Sequence, residues 1–201
     1  MIISIRTLAQ DAEIDAQPRA QPDPPARDFL LGHSGGGGPV SLVVGAMNIR
    51  SGSPADATTL AAMIAGFQPI LTLDPSGAGA EHYLASVSET AERGYLESPR
   101  YSYFIAERED KVVGFIAIRD GTHLFHLFVA EESQGQGVAT ALWRRAREYA
   151  LRASGASEFT VNSSLNAVAI YERFGFVPCG AEVHAHGIAF LPMSLRLQND
   201  A

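Results

Sequence analysis

Gln134-Gly135-Gln136-Gly137-Val138-Ala139 is a glycine-rich turn between an apolar run that ends near Val129 and an amphipathic stretch that begins at Gly137. Small residues in such a turn let backbone N–H groups approach an anion, and a helix starting there adds the partial positive charge of its N-terminus. A pyrophosphate fits that arrangement, and so does a plain tight turn that needs glycine; the six residues alone do not choose. Two nucleotide-binding readings are disfavoured. There is no G-x-G-x-x-G followed by an acid on the next strand, and no Gly-Lys-Ser/Thr.

Beyond the turn, Val138, Leu142, Ala146 and Tyr149 form one helical stripe, with Arg144, Arg145 and Arg147 mostly off it, and Gly155 ends the helix. Before the turn, Tyr101–Arg108, Lys111–Arg119 and His123–Val129 read as three strands joined at Glu109-Asp110 and Asp120-Gly121, an antiparallel meander. Further along come a strand over Glu158–Val161, a short helix over Asn166–Phe174, and strands over Phe176–Cys179 and Ile188–Leu197. Upstream, a strand over Met47–Arg50 leads into Ser53-Pro54-Ala55-Asp56, which starts a helix over about 54–65, and apolar spacing predicts a second helix over Ala80–Tyr95. The order implies an α/β (α+β) chain, a mixed sheet with helices on its faces.

Residues 1–46 have a different character, with Gln-Pro-Asp-Pro-Pro at 21–25, four glycines at 35–38 and no sustained period. Two readings stand side by side: a flexible N-terminal extension, or a start placed too early, with translation beginning at Met47. The structured domain is expected over 47–201. The 201 residues suit one domain, and 46% hydrophobic with 18% charged residues is ordinary for a globular protein. A formal charge of −7 disfavours a nucleic-acid partner. No apolar run approaches bilayer length. The single Cys179 excludes an intrachain disulfide, and with no signal peptide in the sequence the expected location is cytoplasmic.

The Gln134–Ala139 segment resembles the Q/R-x-x-G-x-G/A signature of the GNAT (GCN5-related N-acetyltransferase) family. A second stretch, Asn162-Ser163-Ser164-Leu165-Asn166-Ala167-Val168-Ala169-Ile170-Tyr171-Glu172-Arg173-Phe174-Gly175-Phe176, is similar to that family's second signature, a Tyr before Glu-x-x-Gly-Phe. The two occur in the family's order, and the resemblance covers roughly residues 47–198. It implies the acyl-CoA N-acyltransferase fold, with a mostly antiparallel sheet whose fourth and fifth strands part into a slot for acetyl-CoA. It implies acetyl transfer to a primary amine, with no metal. Gln134, Gly135, Gln136, Gly137, Val138 and Ala139 would hold the cofactor's pyrophosphate, and Leu127, Phe128 and Val129 would pair with its pantetheine arm as an added strand. Tyr171 would protonate the departing thiolate, a role that suits a phenol whose ordinary pKa is about 10. The family commonly has an Asn seven residues before that tyrosine. Here the position is Ser164, and the role passes to Asn162 or Asn166, either of which also suits a helix cap.

The resemblance places a base near the start of the fourth strand, and counting back from Gln134 gives His123; strict alternation would put it on one face with Phe125, Leu127 and Val129, and His126 on the other. An ordered water is the competing base. Glu89 and Glu92 on the second helix are remoter candidates, read as a solvated helix face. His184 and His186 lack a third ligand, so no metal site is assigned, and Cys179 reads as a small buried residue rather than a nucleophile. The acceptor is open, a small-molecule or peptide amine. A non-catalytic acyl-CoA-binding module on the same fold is the alternative, and pairing of two copies through the C-terminal strands would follow from the habit of relatives.

Overall fold

The computed structural model describes residues 47–197. The readings of residues 1–46 and of the last four residues lie outside the described residues. An eight-stranded mixed sheet organises the chain: β1 (Asn48–Ser51), β2 (Tyr101–Arg108), β3 (Lys111–Arg119), β4 (His123–Val129), β5 (Glu158–Ser164), β6 (Val177–Pro178), β7 (Val183–Ala185) and β8 (Ile188–Arg196). The strand order is β1-β2-β3-β4-β5-β8-β6, with β7 also paired to β8. Every pairing is antiparallel except β4 with β5.

Alternating side chains send β2 and β3 into two cores. Phe104, Ile116 and Ile118 join one buried cluster, and Tyr103, Ile105, Phe115 and Ala117 the other. The first core is closed by α5 (Val138–Ser154), where Val138, Leu142 and Ala146 of the expected stripe are buried together with Trp143 and Ala150, while Tyr149, expected on that stripe, is exposed. Trp143 meets Phe159 edge-on and stacks near Phe174. The short α6 (Val168–Arg173) adds Tyr171 to the same core. The second core is closed by α1 (Ala57–Gly66), α2 (Gln68–Leu71), α3 (Glu81–Ser86) and α4 (Glu89–Glu97), through Leu60, Ile64, Leu71 and Tyr83. Helices therefore cover both faces.

The strand boundaries of the meander agree with expectation. Glu109 and Asp110 both have positive φ, 49° and 61°, which fits a two-residue hairpin turn between Arg108 and its partner Lys111. Elsewhere the local chemistry changed the outcome. The helix expected over Ala80–Tyr95 is two helices, because Ser88 turns extended and its hydroxyl accepts a hydrogen bond from the Ala91 N–H, starting α4 afresh. β5 runs on to Ser164 because β8 pairs with it along its whole length. The strand expected over Phe176–Cys179 shrinks to Val177–Pro178, since Pro178 has no N–H to extend the ladder. The four-residue α2 and the three-residue β7 were not expected. Cys179 is exposed, not buried.

The largest departure concerns β4. Ala117 pairs with His126 but Ile118 pairs with Leu124, so Phe125 is an extra residue in the strand, a β-bulge. Beyond a bulge the alternation reverses. Leu124, Leu127 and Val129 therefore face the α5 core while Phe125 and Phe128 face the α1–α4 core, where His126 packs edge-on to Phe115 and Phe128. His123 does not share a face with Leu127 and Val129, and His126 does not point away from Phe125, as simple period two required.

Candidate active site

The parallel ladder between β4 and β5 consists of His123 with Thr160 and Leu124 with Val161, and then stops. From the bulge to Val129, β4 offers its β5-facing edge to no strand, while β5 turns to β8. The two strands thus diverge toward their C-terminal ends, and an extended group between them would find an unpaired row of backbone donors and acceptors.

At the open end lies a cavity of about 620 Å³, lined by Val129, Ser133, Gln134, Gly135, Gly137, Val138, Ala139 and Thr140 on one side and Ile170, Arg173 and Phe174 of α6 on the other. Its floor is the start of α5. Gly137 caps that helix in the left-handed region at φ 79°, and Gly135 has φ 72°, conformations that side chains with a Cβ rarely adopt. The first intrahelical bond from the cap is Ala141 N–H to the Gly137 carbonyl, so the amides of Val138, Ala139 and Thr140 precede the helical ladder. A Cβ at Gly135 or Gly137 would meet nothing within 4 Å, and Val138, Ala139 and Thr140 line the cavity beside them. The partial positive charge of a 17-residue helix is directed there.

The turn is braced from behind. The Gln134 side chain donates to the Val129 carbonyl at 3.1 Å, and Gln136 donates to the Glu132 carbonyl at 2.8 Å while accepting from Arg108 of β2. Gln134 and Gln136 thus serve the shape of the loop. Arg173, exposed at the end of α6, contributes the cavity's one lining cation among the described residues. Sequence reasoning passed over it in favour of the arginines on α5. Of those, Arg145 lies over the Phe104 ring at 4.8 Å and none of Arg144, Arg145 and Arg147 lines the cavity.

Tyr171 is fully buried, its ring edge-on to Phe174 and Phe176, one residue from cavity-lining Ile170. Leu127 and Phe128 are buried on opposite faces of β4, so only their backbone is available to a group in the slot. Asn162 stands in β5 opposite Pro192 and Asn166 donates to the Ile70 carbonyl at 3.2 Å, so Asn166 ties the turn after β5 to α2; neither lines the cavity. At the position where the resemblance seeks an Asn, the Ser164 hydroxyl is buried at the end of β5 with no hydrogen-bond partner.

His123 is partly exposed, its Nδ1 2.9 Å from the Thr160 hydroxyl. His126 is buried and its Nε2 lies 2.9 Å from Glu92 Oε1 on α4, whose other oxygen accepts from the Tyr103 hydroxyl at 3.0 Å. Glu92 is thus completely buried, the reverse of the solvated face expected from its helix; Glu89 is exposed and paired with Arg93 as that reading supposed. His184 bonds to Glu182, and His186 lies in the turn after β7 with its ring 5.6 Å from His82. Among the described residues no group of three His, Cys, Asp or Glu could hold a metal ion, and no helix is long and apolar enough to cross a membrane.

Comparison with known proteins gives the same direction. Residues 71–197 match the model of the acetyltransferase (GNAT) domain family. Human N-acetyltransferase 8 is 36% identical over 100 residues, a segment that spans 44% of this chain and 44% of that protein. Among solved structures, a GCN5-related N-acetyltransferase from Rhodopseudomonas palustris superposes with TM-score 0.60 at 24% identity, over 79% of this chain and 100% of its own. The spermidine N-acetyltransferase of Vibrio cholerae, solved with CoA and spermine, gives TM-score 0.55 at 16% identity, over 75% of this chain and 95% of its own. At these identities the two structures speak for the fold.

Proposed function

Because this chain belongs to the GNAT acetyltransferase family, we propose that it transfers the acetyl group of acetyl-CoA directly to a primary amine of a small molecule or peptide. The single observation that carries the cofactor assignment is the coincidence of three features at one place: the early end of the β4–β5 ladder, the forward-facing amides of the α5 first turn, and the cavity between α5 and α6. Acetyl-CoA supplies the activated thioester. The residues present fit it: the amides of Val138, Ala139 and Thr140 would hold the pyrophosphate with Arg173 beside it, and the β4 edge from Leu127 to Val129 would pair with the pantetheine amides. β4 backbone N–H groups would also polarise the acetyl carbonyl, a contribution of electrostatic type.

Tyr171 is the proton donor in this reading. It arrives from α6, whose neighbours Ile170 and Arg173 line the cavity, and a neutral phenol can hand its proton to a departing sulfur while remaining un-ionised beforehand. Direct transfer needs no acyl-enzyme, and the exposed Cys179 lies after β6, outside the cavity lining. A structured domain from Met47 onward, a cytoplasmic setting and pairing of two copies through the C-terminal strands are part of the same proposal. Calorimetric titration of the full chain with acetyl-CoA tests it, together with thiol release in the presence of a panel of primary amines. Micromolar binding and amine-dependent thiol release are expected. A folded protein that ignores acetyl-CoA sinks the reading, and tight binding with no turnover would favour a non-catalytic acyl-CoA sensor.

A further inference from the structure

On the face of the sheet away from α5, the gap where β4 and β5 part is spanned by α2 and its flanking residues. Phe67, just before α2, meets the Phe128 ring of β4 with centroids 5.8 Å apart. Across the gap, Asn166 in the turn after β5 donates to the Ile70 carbonyl at 3.2 Å. Beyond α2, Thr72 forms an antiparallel bridge with Ile188 of β8, and the Leu73 N–H donates to the Gly187 carbonyl at 2.8 Å. A Cβ at Gly187 would come within 2.5 Å of the Gly79 backbone, so the chain after the bridge is pressed on the β7–β8 turn as well. This strap is therefore fixed to β4 at one end and to the β5 and β8 side at the other.

The strap and the segments it meets are without charge. In a chain that is 18% charged, residues 67–73, 164–171 and 187–193 contain no Asp, Glu, Lys or Arg. Ile70, Leu73 and Leu165 are three of the six large apolar side chains exposed among the described residues. The Asn166 bond brings Ile70 beside the residue that follows Leu165, and Leu73 lies at the far end of the same strap. Single exposed apolar residues need no explanation, but several around one opening mark a binding surface. The first carboxylate past the strap, Asp74, is tied to its own turn, accepting from the Ser76 N–H at 2.8 Å and the Ser76 hydroxyl at 2.7 Å.

Resting on the acetyl-transfer reading, we propose that the acceptor is a monoamine whose amino group is borne on an alkyl or aromatic group, and that Ile70, Leu73 and Leu165 hold that group. The α5 face of the slot is taken by the pyrophosphate turn, so the amine reaches the acetyl carbon from the strap's side and leaves its apolar part against the rim. Covering apolar surface there is favourable in proportion to its area. A polyamine would instead bring further ammonium groups to an opening with no carboxylate to pair them. The amine leaves its proton with solvent, its nitrogen forms the C–N bond, and the C–S bond breaks with its electrons on sulfur, which Tyr171 protonates. A small alkyl or arylalkyl amine and a peptide with an apolar first residue share this chemistry.

The test measures thiol release by the full chain with phenethylamine, a peptide beginning with leucine, and spermidine. At least one apolar amine should exceed spermidine in kcat/KM by roughly 10-fold or more, and which one does so tells a small-molecule source from a peptide. Ile70→Ser and Leu165→Ser, both at exposed positions, should each raise the KM of that amine about 10-fold with kcat little changed, and Leu165→Met should restore it. Preference for spermidine in wild type, or serine variants that alter every amine alike or none, overturns the proposal. Methyl spectra of the CoA-bound chain give a readout without turnover: the Ile70, Leu73 and Leu165 signals should move with the apolar amine and not with spermidine. Acetyl-CoA titration separates the two levels. No binding by wild type sinks the acetyl-transfer reading, whereas binding with neither apolar amine moving the methyls or releasing thiol overturns this proposal alone. Sedimentation covers a second copy as the occupant: serine variants that turn a dimer into monomers with amine preference unchanged make the rim an interface and overturn the proposal too.

Discussion

Replacing Gly137 separates the geometry of the α5 turn from its charge. Gly137 sits at φ 79°, and a Cβ there meets nothing within 4 Å, so a new side chain is strained by backbone conformation and not by collision. That strain is about 1–2 kcal/mol, less for Asn and Asp, which tolerate the left-handed region best. Gly137→Asn and Gly137→Asp should therefore lose similar, small amounts of stability. Their effects on acetyl-CoA should differ, because the Asp carboxylate would stand over the amides of Val138, Ala139 and Thr140 where the pyrophosphate is to bind. One unit charge opposing another at roughly 5 Å and an effective dielectric near 20 costs about 3 kcal/mol, which is roughly a 100-fold loss of affinity. Calorimetric titration of acetyl-CoA into both variants, with urea melts to measure stability, provides the comparison. Asn binding within several-fold of wild type and Asp binding about 100-fold more weakly is the expected pair. Equal affinity for Asn and Asp variants would refute the placement of the pyrophosphate.

Tyr171→Phe should lower kcat on the order of 100-fold with little change in the KM for acetyl-CoA, read by steady-state thiol release. Leu142→Ala removes a fully buried side chain from the α5 core and should cost about 2–5 kcal/mol in urea unfolding. Ser88→Ala removes the cap that starts α4 and should cost about 1 kcal/mol by the same assay. Asp56 is held below the ordinary carboxylate range by hydrogen bonds from Arg50 at 2.6 and 2.9 Å and by the Ser53 backbone. A depressed folded-state pKa gives stability that is present above the unfolded value and lost as pH falls through the folded one. Asp56→Asn should therefore be less stable than wild type near neutrality, and the gap should close below about pH 4, measured by melts across pH.

Where the chain's chemistry is local, the sequence was readable. The meander turns at Glu109-Asp110 and Asp120-Gly121, most of the α5 stripe and its Gly155 stop depend on neighbours a few residues apart, and they appear where expected, Tyr149 excepted. The β4 bulge could not be read that way. His-Leu-Phe-His-Leu-Phe-Val is apolar on both faces, and the extra residue is defined only by the register against Ala117 and Ile118 of β3. One inserted residue moved His123 and Phe125 off the face of Leu127 and Val129, so that Phe125 joins His126 on the side where His126 meets Glu92. Glu92 itself lies in an acid-rich helix that looks solvated; its burial follows from Tyr103 and His126, both distant in sequence. A signal was present, since Glu92 stands three and four residues before Tyr95 and Leu96, which pack against the core, and so shares their face of the helix. Arg173 was hidden for the same reason, as the cavity it lines is completed by residues 129–140, distant in sequence.

The most direct test of the account is mass spectrometry of a reaction containing the full chain, carbon-13-labelled acetyl-CoA and a pool of primary amines that includes N-terminal peptides. The account predicts labelled acetyl on the nitrogen of an amine, formed only with enzyme, and no acetylated protein intermediate at Cys179 or elsewhere. Acetyl-CoA that binds but passes label to none of the amines, or label that first accumulates on the protein, would contradict it.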